Sequence, residues 1–223
     1  GTTVAKEVTN LNEEIMENAE YKFQAVYEDG TPVANSPYTL SSTSTVALTD
    51  DGVSTVSDEY KTDENGCFTL KANQKAIFKK IPLGSNIKIR EIVKDEEIKT
   101  RWATYESGEK KNGAYGTQTD VITVPVDKTL DVVFTNDYEP SQDVTIHKIF
   151  NTEDSSENYK PSDKQVYVIG YEILDKSDNV VVKSKLSLHA EEKGVIEDIP
   201  VGYSYRVWEY VPEGKLSYES PVS

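Results

Sequence analysis

An internal repeat is the feature of this sequence that most constrains its fold. The segment FTLKANQKAIFKKIPLGSNIKIRE, residues 68–91, recurs without gaps as LSLHAEEKGVIEDIPVGYSYRVWE, residues 186–209. Identical positions include Leu70 and Leu188, Lys75 and Lys193, Ile81-Pro82 and Ile199-Pro200, Gly84 and Gly202, and Glu91 and Glu209. A gapless repeat of this length predicts that the chain carries two copies of one structural module.

Both copies have the alternation of apolar and polar residues that is typical of β-strands, as in Ile87-Lys88-Ile89-Arg90. A proline followed by glycine at position 84 or 202 indicates a turn between strands. Similar short runs recur along the chain with turn signals about every 8 to 12 residues, whereas helical periodicity is almost absent. The sequence therefore predicts an all-β fold of the sandwich type.

The repeat divides the chain into a first module at residues 1–139, a linker at 140–143 and a second module at 144–223. The first module ends with the predicted strand LDVVFT, residues 130–135, which leads directly into Asn136. At the spacing of the repeat, the counterpart of Asn136 falls beyond Ser223. We therefore expect the second module to lack its final strand in this sequence.

Each copy of the repeat ends in a glutamate on the inward face of a strand. Side chains two residues apart in a strand share a face, so Glu91 follows Ile87 and Ile89, and Glu209 follows its own apolar residues. A carboxylate on a core face is costly unless it is paired or protonated. A glutamate that points to water at the strand end is the alternative, but the same placement in both copies favours a shared role.

The first module also has a lysine in its first predicted strand, Lys6 in VAKEV, and an asparagine after its last, Asn136. First and last strands of a sandwich are commonly neighbours. A buried lysine loses much of its preference for the charged form, and a neutral amine is a nucleophile. A carboxyl group beside it, such as Glu91, is able to polarise the asparagine carbonyl and carry protons to departing ammonia. The three residues are candidates for one Lys–Asn amide crosslink, made once and without turnover.

Each residue has a simpler interpretation, in which Lys6 reaches a surface acid and Asn136 caps a turn with Asp137. The wider pattern opposes it. The order Lys6, Glu91, Asn136, the phrase FTLKANQKAIFKKIPLG and the ending VVFTN resemble the Cna-B-like and pilin-type isopeptide domains of Gram-positive surface proteins. Residues 205–214, YRVWEYVPEG, are similar to that family's YxVxExxPxG box. The first module departs from the family at residues 85–87, where a tyrosine is usual, and lacks the Pro-Glu-Gly.

The resemblance implies two tandem Ig-like, Cna-B-type β-sandwiches that form the stalk of an adhesin or pilin. It implies an amide between Lys6 and Asn136 under Glu91. It makes Lys148 and Glu209 the lysine and acid of the second module, with their asparagine partner outside this sequence. It also implies an extracellular, cell-wall-anchored location on a Gram-positive bacterium, with signal and anchor outside these 223 residues and with neighbouring modules as partners.

The composition excludes some partners. A net charge of −15 and a pI of about 4.6 argue against nucleic acid and anionic membrane, both of which require basic surfaces. Cys67 is the single cysteine, so no intrachain disulfide forms, and a secreted β-protein without disulfides must be stabilised by its core, a metal or some other crosslink. We expect no cofactor and no metal site, and we interpret His147 and His189 as exposed strand residues.

A ligand-binding module is the second functional hypothesis. Carbohydrate or a host matrix protein would bind to the predicted loops at 36–61 or 106–116, or to the tyrosines at 203, 205 and 210. This hypothesis is compatible with a crosslinked scaffold. An enzyme has the least support, because no catalytic triad, metal cluster or pair of carboxylates stands out.

Overall fold

A computed structural model describes residues 1–42, 58–94, 98–138, 141–149 and 164–210. These residues form sixteen strands and one short helix, so the predicted all-β class is confirmed. The chain divides into two compact units, one of residues 1–10 and 19–139 and the other of residues 11–18 and 140–223. Residues 11–18, which the repeat assigned to the first module, thus group with the second unit. Within the described ranges, no helix is long and apolar enough to cross a bilayer.

The first unit contains eleven described strands in two sheets. In chain order they are β1 Thr2–Thr9, β2 Glu20–Tyr27, β3 Pro37–Ser42, β4 Glu59–Lys61, β5 Cys67–Lys71, β6 Gln74–Phe78, β7 Asn86–Ile92, β8 Lys99–Glu106, β9 Glu109–Tyr115, β10 Ile122–Thr123 and β11 Leu130–Asp137. One sheet has the order β4-β3-β6-β1-β11-β8-β9 and the other the order β10-β7-β2-β5.

The two sheets of the first unit face each other across one hydrophobic core. Phe23 of β2 and Phe134 of β11 have ring centroids 5.3 Å apart, and Phe68 of β5 lies 5.1 Å from Phe78 of β6. The alternating sequence of β2 explains this packing, because every second residue of the strand is buried and its neighbours are exposed or half-buried. Aromatic contacts from both sheets therefore close the sandwich.

Strand β1 lies in the middle of the larger sheet. It pairs antiparallel with β6 and parallel with β11, with Lys6 opposite Phe134 and Val8 opposite Asn136. The expectation that first and last strands are neighbours is confirmed. Because β1 has a partner on each edge and a second sheet over its inner face, Val4 and Lys6 are fully buried.

The second unit has its own strands, and residues 11–18 supply its helix. The elements are α1 Glu13–Asn18, β12 Ser141–His147, β13 Tyr167–Leu174, β14 Val180–Leu188, β15 Lys193–Pro200 and β16 Ser204–Glu209. Strand β12 pairs with β15, and β14-β13-β16 form a second sheet. Asn12 caps α1, since its side-chain oxygen accepts hydrogen bonds from the backbone N–H groups of Glu14 and Ile15.

The repeat has the same structure in both units. Residues 68–91 cover β5, β6 and β7, and residues 186–209 cover the end of β14 together with β15 and β16. Gly84 and Gly202 have φ angles of +78° and +87° in the turn before the last of these strands. Other residues rarely adopt this conformation, which explains a glycine at both positions.

One predicted loop is wrong. Residues 106–116 form the end of β8, a tight turn with positive φ at Ser107 and Gly108, and the strand β9. Strand β9 is exposed on both faces, so its sequence has no hydrophobic alternation by which a strand is recognised. In the other predicted loop, 36–61, the described residues include the strands β3 and β4, and residues 43–57 lie outside the described residues.

Candidate functional site

The site begins with a lysine in a hydrophobic core. Lys6 has 0% exposure and is the largest fully buried side chain in the described residues. Lys6 shares a strand face with Val4 and Val8, and these two valines belong to or pack against the hydrophobic core between the sheets. A buried ammonium without compensation is strongly unfavourable, so this position requires an acid or a neutral amine.

Glu91 meets Lys6 from the opposite sheet. The Nζ atom of Lys6 lies 2.7 Å from Oε1 of Glu91, and the exposed fractions of the two side chains are 0% and 1%. The contact lacks the angles of a well-formed hydrogen bond. Within the described residues, neither Nζ nor either carboxylate oxygen has another hydrogen-bond partner. This charged pair is therefore buried without the additional hydrogen bonds that usually compensate for desolvation.

Burial changes the acidity of the amine. Desolvation lowers the pKa of Lys6 from 10.5 to about 8, and the negative charge of Glu91 opposes part of that shift. The ring of Tyr21 lies 4.7 Å from Nζ, and the Tyr21 hydroxyl is 2.9 Å from that of Tyr138. A lysine with this pKa supplies a substantial fraction of neutral, nucleophilic amine near neutral pH.

Asn136 lies on the strand next to Lys6. It is 1% exposed and opposes Val8, so its side chain is on the same face of the sheet as Lys6, two positions along. From strand spacing and rise, the Cα atoms of Lys6 and Asn136 are on the order of 8 Å apart, a separation that the two side chains span when joined by an amide. The structure thus brings Lys6, Glu91 and Asn136 into the same layer between the sheets.

The carbonyl of Asn136 has a partner that was not expected. The hydroxyl of Thr100, on β8, donates a buried hydrogen bond of 3.0 Å to Oδ1 of Asn136. The sequence predicts that Glu91 polarises this carbonyl, but within the described residues neither carboxylate oxygen of Glu91 has a hydrogen-bond partner. Thr100 therefore occupies one of the two acceptor positions of this carbonyl oxygen.

Residues 2–138 match the family described as domain of unknown function DUF7601. The chain belongs to this family. The matched range opens with β1 and closes just after β11, so the DUF7601 match covers the two-sheet sandwich of the first unit together with residues 11–18. It contains Lys6, Glu91, Thr100 and Asn136.

Several solved structures are similar to the chain. The major pilin from Streptococcus pyogenes has 22% sequence identity, with 61% of this chain and 46% of that chain covered and a TM-score of 0.42. The streptococcal ancillary pilin has 15% identity, with 99% and 56% covered and a TM-score of 0.29. The chain spans less than half the length of the S. pyogenes major pilin. No curated protein matches the sequence.

The strands of the second unit, which follow the DUF7601 match in the chain, hold a related pair. Nζ of Lys148 donates a hydrogen bond to Oε2 of Glu209 at 3.4 Å, and the side chains are 17% and 27% exposed. The ring of Tyr167 lies 4.6 Å from Nζ. This pair has the same residue types as the pair in the DUF7601 domain, but solvent reaches it.

Strand register shows that the two pairs are equivalent. Lys75 pairs with the residue before Lys6, and Lys193, its counterpart in the repeat, pairs with the residue before Lys148. The same holds for the aromatic rings. Tyr21 lies two residues before the strand partner of Glu91, and Tyr167 lies two residues before the strand partner of Glu209.

Sequence reasoning missed these tyrosines and Thr100. Extending the repeat upstream, with a different offset, would have aligned Tyr21 in YKFQAVY with Tyr167 in YVIGYEIL. No local pattern marks Thr100, because its role depends on the register between β8 and β11.

The remaining candidates have structural contacts. His147 and His189 lie within hydrogen-bond distance of backbone carbonyl oxygens, of Glu191 and Gln165 respectively. Burial raises the pKa of the Cys67 thiol, which disfavours the reactive thiolate. In the described part of the chain, no three His, Cys, Asp or Glu side chains are placed to hold a metal ion.

Proposed function

We propose that the DUF7601 domain forms an amide bond between Lys6 and Asn136, promoted by Glu91. The observation that carries the proposal is the contact of 2.7 Å between the amine of a fully buried lysine and a fully buried carboxylate. The lysine lies on the same sheet face as Asn136. A buried pair of this kind is expensive as a purely structural device. Consumption of the amine in a bond removes that expense.

The reaction needs only these side chains. Glu91 accepts a proton from the Lys6 ammonium, and the neutral amine attacks Cγ of Asn136. The Nζ–Cγ bond forms and the Cγ–Nδ2 bond breaks. Of the three ammonium hydrogens, one stays on the amide nitrogen, one moves to the departing nitrogen, which leaves as ammonia, and one stays on Glu91. Glu91 thus transfers one proton, keeps another and ends as a neutral carboxyl group. The site reacts once because Lys6 and Asn136 are consumed.

The bond would tie together the first and last strands of the domain. Lys6 and Asn136 lie near the two ends of the 137 residues matched by the family. Closing a loop of this size is worth about 5 kcal/mol by the relation used for disulfides. The covalent tie would oppose mechanical extension and protease access to the unfolded chain.

From this tie we infer a structural role, as a stalk module of an extracellular, cell-wall-anchored adhesin or pilin of a Gram-positive bacterium. The tandem repeat and the resemblance of its motifs to Cna-B-like domains support this role. The proposed partners are neighbouring modules of the same surface protein, and the chemistry is a single intramolecular event without enzymatic turnover.

Intact-mass measurement tests the crosslink. The wild-type chain is expected to be lighter than its sequence mass by one ammonia, roughly 17 Da from the stoichiometry of the exchange. Lys6→Ala and Asn136→Ala should each have their full sequence mass, whereas Lys148→Ala, the matched control, should still show the loss. A wild-type chain at full sequence mass would refute the proposal.

A further inference from the structure

The hydrogen bond between Thr100 and Asn136 has a consequence for the chemistry of the crosslink. Thr100 opposes Asn136 directly in the antiparallel pairing of β8 and β11, so both side chains lie on the inner face. Thr100 is 6% exposed, and the bond of 3.0 Å from its hydroxyl to Oδ1 is buried. The donor therefore contacts the atom that gains negative charge when an amine attacks Cγ.

Glu91 is poorly suited to serve that oxygen. Its carboxylate accepts the proton that Lys6 must lose, and the same group then passes a proton to the leaving nitrogen. A carboxylate has no hydrogen to donate, and a protonated Glu91 that held the carbonyl oxygen would not be free to protonate Nδ2. If a neutral hydroxyl on a different strand donates to the carbonyl oxygen, Glu91 remains free for proton transfer.

We propose that Thr100 is a catalytic residue of the crosslinking reaction, the hydrogen-bond donor that stabilises the oxyanion on Oδ1 of Asn136. This inference rests on the proposed Lys6–Asn136 bond. The hydroxyl is already aligned in the reactant, so it requires no reorganisation as the charge develops. In a dry interior such a donor is worth more than it would be in water.

The same strand provides a matched control. Thr104 lies on the same face of β8 as Thr100, is also buried, and opposes Val132 instead of Asn136. Thr104→Val therefore makes the same chemical change in the same layer of the sandwich without touching the reacting carbonyl. Thr100→Ser keeps the hydroxyl at the reacting site.

The experiment follows crosslink formation in chains made by cell-free translation, quenched in denaturant at intervals and measured by intact mass. Loss of one oxyanion donor typically slows a reaction on the order of 100-fold, so Thr100→Val should lose ammonia that much more slowly than wild type. Thr104→Val should react at the wild-type rate, and Thr100→Ser within a few-fold of it. Melting of both valine variants in an Asn136→Ala background checks that they are equally folded.

The outcomes separate the two proposals. A wild-type chain that never loses ammonia overturns the crosslink and with it this role of Thr100. A wild-type chain that crosslinks together with a Thr100→Val variant that reacts as fast as Thr104→Val overturns the role of Thr100 alone. If valine at position 100 prevents folding, Thr100→Ala and Thr100→Ser provide the comparison, and equal rates for those two variants overturn the inference.

Discussion

The two units of this chain hold the same lysine, glutamate and tyrosine in the same strand register, but in different environments. In the first unit the side chains of Lys6 and Glu91 are 0% and 1% exposed, and burial lowers the lysine pKa to about 8. In the second, the side chains of Lys148 and Glu209 are 17% and 27% exposed. The same residue types in the same register therefore differ in their exposure to solvent.

The difference follows from one strand. Strand β1 is enclosed by β6 on one edge and β11 on the other, whereas β12 pairs with β15 and has no second neighbour within the described residues. Strand β11 covers the lysine and also carries Asn136. The strand that lies beside the buried amine thus also carries Asn136, its proposed target. This coupling would keep the lysine unreactive until the last strand has docked.

The largest predicted effect is on stability through the crosslink. Asn136→Ala should destabilise the first unit by about 5 kcal/mol relative to the crosslinked chain. Its melting temperature should fall on the order of 15 °C by the usual scaling for a domain of this size. Lys148→Ala should change the melting of the second unit by less than about 1 kcal/mol, because its ion pair is partly solvated. Calorimetry of both variants checks the contrast, and equal shifts in the two units would contradict it.

The second largest predicted effect is the difference in stability cost between neutralising Glu91 and neutralising Glu209. In an Asn136→Ala background, Glu91→Gln leaves a buried lysine without its counter-charge and should cost about 3–5 kcal/mol. Glu209→Gln should cost about 0–1 kcal/mol. Denaturant unfolding measures the cost of Glu91→Gln when both proteins also carry Trp208→Phe. Trp102 is then the sole tryptophan, and its fluorescence reports on the first unit. A small cost for Glu91→Gln would mean that burial alone keeps Lys6 neutral and that the carboxylate does not compensate a charge.

The buried lysine also predicts a pH dependence in the uncrosslinked Asn136→Ala variant. The Lys6 pKa is about 8 in the folded state and 10.5 as its ordinary value, so the unfolded chain binds more protons between these values. Stability should therefore rise with pH across this window, by about 2 kcal/mol between pH 8 and pH 10. A variant that also carries Lys6→Met and Glu91→Gln should lose this slope. The same slope in both proteins would assign it to other groups.

Much of the fold and part of the candidate site were predictable from the sequence. The repeat and period-2 alternation predicted the all-β class and the inward faces of Lys6 and Glu91. The usual architecture of a sandwich predicted the adjacency of the first and last strands. The bond between Lys6 and Asn136 stays a prediction. The all-β class and the inward faces follow from local pattern, because a strand with one buried face displays its register in its own sequence.

Other features depend on contacts that no single segment encodes. Thr100 is one threonine among many until the register of β8 against β11 places it opposite Asn136. Strand β9 is exposed on both faces, so its residues lack the alternation that marks β8. The burial of Lys6, compared with the exposure of Lys148, depends on a neighbouring strand that is far away in the chain.

The smallest predicted effect concerns Tyr21 and Tyr167, the tyrosines whose rings lie beside the two lysines. The rings of Tyr21 and Tyr167 lie at similar distances from their lysines, 4.7 and 4.6 Å. The hydroxyl of Tyr21 also bonds Tyr138, which directly follows β11. In an Asn136→Ala background, Tyr21→Phe keeps the ring and removes one buried hydrogen bond, so denaturant unfolding should show a loss of about 1 kcal/mol. Tyr60→Phe, at an exposed tyrosine, should cost almost nothing. If the two substitutions were equivalent, the last strand would contribute to this site only by covering it and supplying Asn136, and not by anchoring the ring beside the lysine.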